Sequence, residues 1–210
     1  MKKMKLNKLM FAFALVFASG ALFAACGSGG GTTEAAEESQ DNAEAEIEAG
    51  SDSEIVVITM ENGGQIEIEL DSEAAPISVA NFLGLVDEGF YDGLTFHRII
   101  LGFMIQGGDP SGTGSGSGTA NIKGEFAKNG WDNPIEFKRG VIGMARRDDP
   151  DSASCQFFIT NVDAEFLNGQ YAAFGHVIAG MDVVDEISAV TTDSSDRPIT
   201  PVVIDTIRRK

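Results

Sequence analysis

The stretch FHRIILGFMIQGGDP, residues 96–110, contains the residue types best suited to chemistry. It places Arg98 and Gln106 among large apolar side chains, and it has no serine, cysteine or lysine that could attack a substrate. A guanidinium and a carboxamide are hydrogen-bond donors, and apolar neighbours favour a pocket that excludes water. The stretch therefore indicates a site that binds and stabilises by hydrogen bonding, without a covalent intermediate.

Other kinds of site lack their usual residues. The glycine-rich run at 112–118 has no P-loop lysine after it and no βαβ pattern around it, so we interpret it as a loop bordering a substrate groove. His97 and His176 are the only histidines, and no spacing of histidine and cysteine is typical of zinc sites. We therefore predict no metal and no cofactor, and a structural role for both histidines. A G-x-S-x-G hydrolase motif is also absent.

The elements around these residues are mostly strands. Residues 55–70 form two strand-like runs around Asn62-Gly63-Gly64, which predicts a hairpin. Helical spacing predicts one helix from near Pro76 to Gly89 and a second within 180–190. Six further strand-like runs lie at 94–100, 103–107, 140–145, 155–160, 173–178 and 202–208. The sequence thus predicts a mostly-β fold, a closed eight-stranded antiparallel β-barrel capped by two α-helices, because closure removes exposed edges.

Residues 1–25 have the layout of a secretory signal peptide. Four lysines within the first eight residues precede an apolar run that extends to Ala25. Two alanines then precede Cys26, which resembles the site that bacteria cleave and lipidate, although Phe23 stands where that pattern has a smaller or aliphatic residue. We predict that Cys26 is lipidated; a plain secretory signal or an uncleaved anchor is the alternative.

Residues 26–54 are predicted to be an acidic tether that follows the lipidated cysteine. The 28 residues after Cys26 carry nine acids and no base, and too few large apolar side chains to offset the entropy lost on ordering. The whole chain has a formal net charge of -17, which disfavours nucleic acid and anionic lipid headgroups as partners. Cys155 is the only other cysteine, so we predict a buried free thiol and no disulfide.

Residues 55–210 suit one domain, and they resemble the cyclophilin family of peptidyl-prolyl isomerases. The resemblance rests on three blocks: FHRIILGFMIQGGDP at 96–110, GVIGMARRDDPDSASCQFFIT at 140–160 and FLNGQYAAFGHVIAGMDVVDEI at 166–187. The short motifs FHR, GFMIQGGD, MAR, QFFI and FGHV occur in the family's order and spacing. The fold that the resemblance implies, an eight-stranded barrel with two helices, is the one that the strand count predicts.

The resemblance also implies a role for each residue of the site. It makes Arg98 the catalytic residue. It implies substrate binding by Phe103, Met104, Gln106, Ala145, Arg146, Gln156, Phe158, Phe166, Leu167 and Tyr171, with the proline pocket formed by Phe103, Met104, Phe158 and Leu167 and the substrate backbone held by Gln106 and Gln156. Phe166 and Tyr171 stand where well-known eukaryotic members have tryptophan and histidine, and Arg146 stands where asparagine is frequent.

The function implied is peptidyl-prolyl cis-trans isomerisation during the folding of extracytoplasmic proteins. The alternative is a non-catalytic proline-binding module that uses the same groove. We expect proline-containing unfolded or folding proteins as partners, membrane contact only through the N-terminal lipid, no nucleic acid, and a monomer. The expected location is the outer face of a bacterial cell membrane, or the periplasmic side where a second membrane exists.

Overall fold

The computed structural model describes residues 54–116 and 118–210. The predicted signal peptide, Cys26 and all of the predicted tether except its last residue lie outside these described residues. The strands are β1 (Glu54–Met60), β2 (Gln65–Leu70), β3 (Phe96–Ile100), β4 (Met104–Gly107), β5 (Val141–Met144), β6 (Phe157–Thr160), β7 (Ala173–Ala179) and β8 (Ile204–Arg209); the α-helices are α1 (Pro76–Asp87) and α2 (Met181–Ser188). In this part of the chain, no helix has the length and hydrophobicity needed to cross a bilayer.

The eight strands form one antiparallel sheet in the order β3-β4-β6-β5-β7-β2-β1-β8. The predicted closed barrel is wrong in one respect, because the edge strands β3 and β8 do not pair as a ladder. A single bridge between Thr95 and Val203 links the segments that precede them. Beyond this bridge, the Ile99 N–H donates to the carbonyl of Asp196, in the loop before β8, at 2.8 Å. The sheet is therefore a curled half-barrel whose edges meet through an irregular loop.

The predicted hairpin is confirmed, and buried residues alternate along its second strand. The turn between β1 and β2 is closed by a hydrogen bond from the Met60 N–H to the Gly64 carbonyl at 2.8 Å, and Gly63 has φ of 85°. Glycine is favoured there because a side chain disfavours this left-handed conformation. Ile66 and Ile68 are fully buried, whereas Glu67 and Glu69 are partly exposed. One face of the hairpin thus covers the core.

The main core lies between helix α1 and the curled sheet. Phe82 of α1 is fully buried, and its ring lies 5.2–5.5 Å, centroid to centroid, from the rings of Tyr91, Phe157 and Phe174. Cys155 is also buried there as a free thiol, as predicted. Burying such aromatic side chains supplies a large share of the hydrophobic stabilisation of a domain. The core thereby fixes β6 in place, and β6 carries part of the site.

A second apolar cluster underlies the predicted site. It contains the buried residues Met104, Phe137, Val141, Phe158, Ala164, Leu167 and Ala173. Half-buried side chains, among them Phe103 and Tyr171, pack against it at its edge. The residues predicted to grip proline therefore belong to a packed layer of the fold, which restricts their rotamers.

Candidate active site

Strand register brings three predicted site residues together. Arg98 of β3 is paired with Gln106 of β4, and Gln106 is paired with Phe158 of β6. Residues that are directly opposite on neighbouring strands project from the same face of a sheet. A guanidinium, a carboxamide and a phenyl ring thus lie side by side, although 60 positions separate Arg98 from Phe158.

These side chains border a cavity of about 140 Å³, which we call the proline socket. Nine of the eleven predicted site residues line it: Arg98, Phe103, Met104, Gln106, Ala145, Arg146, Phe158, Leu167 and Tyr171. At about 30 Å³ per water molecule, the volume equals that of four to five waters. A five-membered ring fits a space of this size.

The floor of the socket is apolar and firmly packed. Met104 and Phe158 are nearly fully buried, and the Phe158 ring stacks on the Phe137 ring at 5.5 Å with 20° between their planes. Gly143 of β5 is paired with Phe158 of β6. A Cβ atom on residue 143 would lie 2.8 Å from the Phe158 ring. Glycine at this position leaves the space that the ring occupies. Leu167 reaches the socket from the short 3₁₀ helix Glu165–Leu167.

Arg98 stands at the rim with most of its donors available. Its side chain is 44% exposed, and within the described part of the chain its one ionic contact is to Asp196, with Nη2 and Oδ2 3.4 Å apart. A pair this long and this exposed stabilises the fold little. Asp196 has φ of 63°, the left-handed conformation that is uncommon outside glycine. This partner was missed by sequence reasoning, since it lies 98 positions away in a turn-rich segment with no motif of its own.

Of the two predicted glutamines, only one lines the proline socket. Gln106 lines the proline socket, whereas Gln156 lies behind it, more than nine-tenths buried, and does not line the socket. The Gln106 amide donates to Gln156 Oε1 at 2.9 Å, and no described residue donates to the Gln106 carboxamide oxygen. The Gln156 amide in turn donates to the carbonyls of Gly114 and Gly116. In this structure, Gln156 orients Gln106 and fastens a loop.

The loop that Gln156 fastens is organised by Asp109. Its carboxylate is almost fully buried and accepts hydrogen bonds from the backbone N–H groups of Ser111, Thr113, Gly114 and Gly116. Burial raises the pKa of this carboxyl, but the hydrogen bonds from Ser111, Gly116 and Gly114 outweigh burial and hold the pKa below its ordinary value. The predicted glycine-rich loop at the groove is thus built around a buried charge; Ser117 lies outside the described residues.

Phe166 and Tyr171 flank the socket in different ways. Phe166 is 63% exposed and does not line the cavity, but its ring lies 5.2 Å from the Phe103 ring at the rim. Tyr171 lines the cavity, and its ring meets Phe158 edge-on at 5.9 Å. The Arg146 guanidinium lies over the Tyr171 ring at 4.7 Å, a cation–π distance. The Arg146 side chain therefore forms part of the wall of the site.

His97 is buried directly beside Arg98. Neither of its ring nitrogens has a hydrogen-bond partner among the described residues, and the Cβ position of Gly114 lies 3.5 Å from its ring. Burial lowers the pKa of His97; Asp109 opposes this, and Arg197 and Arg98 lower the pKa further. The ring is therefore neutral under the site loop at neutral pH. Nowhere in 54–116 or 118–210 do three His, Cys, Asp or Glu side chains gather as metal ligands.

We expect His97 to make the fold sensitive to acid. The unfolded chain protonates this ring near pH 6.5, whereas the folded chain does so only at lower pH. The contribution of His97 to the free energy of unfolding is therefore fully present above pH 6.5. It is lost as the pH falls toward the folded-state pKa, by up to about 1.4 kcal/mol per pH unit. Urea unfolding between pH 7.5 and 5 should show a steeper loss for wild type than for His97→Phe. Equal slopes for wild type and His97→Phe would refute this role.

Comparison with known proteins identifies the family of this chain. Residues 55–209 match the family profile described as cyclophilin type peptidyl-prolyl cis-trans isomerase/CLD. The chain belongs to the cyclophilin family. It is 43% identical over 141 residues to peptidyl-prolyl cis-trans isomerase ppi1 of Schizosaccharomyces pombe, covering 67% of this chain and 90% of that protein. It is 49% identical over 139 residues to a peptidyl-prolyl cis-trans isomerase of Acinetobacter baylyi, covering 63% of this chain and 71% of that protein.

A solved cyclophilin has the same fold. The crystal structure of a Cryptosporidium parvum cyclophilin-type isomerase, determined in the presence of the dipeptide Ala-Pro, matches with a TM-score of 0.69 and 32% identity. The match covers 74% of this chain and 98% of that structure. This cyclophilin is therefore a peptidyl-prolyl cis-trans isomerase by family, and its mostly-β half-barrel with two helices is the family's fold.

Proposed function

We propose that this cyclophilin accelerates rotation about X-Pro bonds in extracytoplasmic proteins, with Arg98 as its catalytic residue and the proline socket as its binding site. The observation that carries the proposal is the row formed by Arg98, Gln106 and Phe158 across β3, β4 and β6, beside a cavity of about 140 Å³ with an apolar floor. In this row, Arg98 can donate a hydrogen bond to the prolyl nitrogen, Gln106 can bind the substrate backbone, and Phe158 can contact the proline ring.

The reaction requires no nucleophile. Amide resonance raises the rotation barrier of a peptide bond to about 18–20 kcal/mol, and X-Pro bonds isomerise in tens to hundreds of seconds. As the bond twists, conjugation is lost and the prolyl nitrogen gains a lone pair. The Arg98 guanidinium, with its weak contact to Asp196, can donate a hydrogen bond to that nitrogen. The donor is thus more strongly bonded in the twisted state than in the planar one.

Arg98 alone does not supply the whole acceleration. A hydrogen bond from a charged donor contributes about 1.5–3 kcal/mol. Turnover in about a millisecond requires a 10⁴–10⁵-fold acceleration, or about 5–7 kcal/mol. The remainder is assigned to the rigid floor, which holds the proline ring, and to Gln106, whose free carboxamide oxygen can accept a substrate N–H.

The competing function is a proline-binding module that holds chains without turning the bond. The placement of Arg98 favours catalysis, since a binder that grips an apolar ring has no need of a half-exposed guanidinium at the rim. The test is proline-limited refolding of a small protein. We expect substoichiometric full chain to speed the slow phase; a slow phase that is unchanged, or slowed in proportion to added chain, would favour the binder.

The proposed location rests on the N-terminal sequence. Lysines, an apolar run and Ala24-Ala25 before Cys26 together favour secretion followed by lipid attachment. We propose a lipid-anchored enzyme on the outer face of a bacterial membrane, acting as a monomer on proline-containing client proteins. The net charge of -17 favours neither nucleic acid nor anionic headgroups as further partners.

We expect the mature protein to begin at a lipidated Cys26. Mass spectrometry of the protein from its native membrane should find an N-terminal fragment that starts at Cys26 and carries the added mass of two or three acyl chains. A Cys26→Ser variant should lose that mass and leave the membrane fraction. An unmodified N-terminus elsewhere in the chain would contradict the anchor.

A further inference from the structure

A second cavity of about 360 Å³ adjoins the proline socket and carries an unusual charge. The two cavities share Gln106, Ala145 and Arg146. The rest of its lining consists of Gly114, Ser115, Gly116, Arg147, Ser152, Ser154 and Gln156. Its charged residues are thus two arginines and no carboxylate, in a chain that has 32 acids against 15 bases. This local reversal of charge singles out the cavity.

One of the two arginines is held rigidly. The Arg146 guanidinium donates through Nε to the Gln170 carbonyl at 2.9 Å and through Nη1 to the Arg147 carbonyl at 2.7 Å. It also lies between two aromatic rings, 5.0 Å from the centroid of Phe126 and 4.7 Å from that of Tyr171. Arg146 therefore contributes a fixed positive charge to the wall between the two cavities.

The other arginine has no side-chain partner among the described residues. Arg147 is exposed, and it is bonded only through its backbone: its N–H donates to Ser152 Oγ at 2.9 Å, and its carbonyl accepts from Arg146. None of the nearby acids Asp148, Asp149 and Asp151 forms an ion pair with Arg147; Asp149 accepts from the Asp151 N–H, and Asp151 accepts from Gly124 and Asn129. Most arginines of this domain pair with a carboxylate, so an unpaired guanidinium at a cavity mouth is available to a ligand.

We propose that Arg147, supported by Arg146, makes the second cavity a subsite for an acidic side chain near the substrate proline. An extended chain advances about 3.3 Å per residue, so a proline in the socket places a residue one to three positions away over the adjoining cavity. A carboxylate there meets two guanidinium groups and the buried Ser154 hydroxyl, whose one hydrogen bond to a described residue is to the Cys155 sulfur at 3.9 Å. The inference rests on the proposed use of the socket for proline.

The net negative charge of the chain does not outweigh this local attraction. At physiological ionic strength, charges farther apart than about 8 Å are largely screened, whereas a carboxylate in the cavity contacts Arg147 directly. A single exposed ion pair changes an equilibrium by up to about fivefold. We therefore expect peptides with a suitably placed acid to be used about fivefold better than their neutral counterparts.

The test uses paired peptides with one Ala-Pro bond. In each pair, Glu or its neutral counterpart Gln occupies one of the three positions before or after proline, and NMR exchange with the full chain in detergent gives kcat/KM. We expect wild type to favour Glu about fivefold at one position and 50 mM salt, and less at 0.5 M salt. Arg147→Gln should bring the ratio to about one. Lys123→Gln, which removes an equal charge that lines neither cavity, should keep the wild-type ratio.

Each other outcome overturns a defined part of the account. Isomerisation of both peptides of every pair at equal rates would refute the acidic subsite and leave the isomerase intact. A Glu preference that survives in Arg147→Gln would refute the assignment to Arg147. No acceleration of any peptide by wild type would refute the proposed function, and the subsite with it.

Discussion

Arg98→Ala is expected to lower kcat/KM for an X-Pro peptide by about 10- to 100-fold. The lost hydrogen bond from a charged donor corresponds to about 1.5–3 kcal/mol, and each 1.36 kcal/mol is a factor of ten in rate. The fold should be unaffected, because the Arg98 side chain is 44% exposed and its ion pair with Asp196 is long. Isomerisation kinetics on a single-proline peptide, together with thermal unfolding of the same protein, measure both effects.

Two further variants separate a hydrogen bond from a general charge effect. Arg98→Lys keeps the charge but replaces the planar fork of donors with a single ammonium, so it should recover only part of the rate. Arg197, the exposed residue after Asp196, carries the same charge but does not line the socket. The kcat/KM of Arg197→Ala should therefore stay within about twofold of wild type. Near-normal activity of Arg98→Ala would contradict the catalytic assignment.

Glu125→Ala is expected to lower the free energy of unfolding by about 3 kcal/mol. This carboxylate is fully buried at the start of α1, where it accepts the N–H groups of Ile77 and Ser78 at 2.8 Å and the Ser78 hydroxyl at 2.7 Å. The helix has no side-chain cap of its own at Ala75. Removing Glu125 leaves buried donors unpaired at the positive end of the helix dipole, and both effects destabilise.

Denaturant unfolding of the full chain measures this loss. Glu125→Gln keeps one accepting oxygen and should lose about half as much as Glu125→Ala. Glu88→Ala changes an exposed acid next to the other end of the same helix and should stay within about 0.5 kcal/mol of wild type. A loss below about 1 kcal/mol for Glu125→Ala would show that water or a shift of α1 satisfies the freed N–H groups.

Local patterns predicted the elements because each pattern is read over a few neighbouring residues. Asn62-Gly63-Gly64 marks a hairpin turn, and apolar positions alternate along β2 in step with its pleat. Pro76 is the first residue of α1, and Gly89 follows its last residue, Asp87, by two positions. Hydrophobic periodicity and turn residues are therefore sufficient to predict helices, strands and hairpins, which neighbouring residues form.

Features that depend on distant residues escaped prediction. Glu125 caps a helix that begins 49 positions earlier, and Asp196 reaches Arg98 from 98 positions away. Neither carries a local signal, because its role is set by where the fold places it. The unpaired edges β3 and β8 also depend on distant residues. A strand count predicts the number of strands, but it does not determine whether an edge strand pairs with another strand or with a loop.

The site was predicted as a set of residues but not as an arrangement. Family motifs identified nine residues that the structure gathers around one socket. They also grouped Gln156 with Gln106, whereas the structure places Gln156 behind Gln106 as its support. Motif spacing indicates that residues act together; only packing shows which of them contacts the cavity and which holds a neighbour.

The most direct test of the account is cis/trans exchange of one prolyl peptide, followed by NMR with catalytic amounts of the full chain. A catalyst that stabilises the twisted bond speeds both directions equally and leaves the equilibrium unchanged. We predict faster exchange with an unaltered cis/trans ratio for wild type, and loss of most of the acceleration for Arg98→Ala. Binding shifts on the peptide without faster exchange would contradict the central claim and identify the site as one that only holds proline.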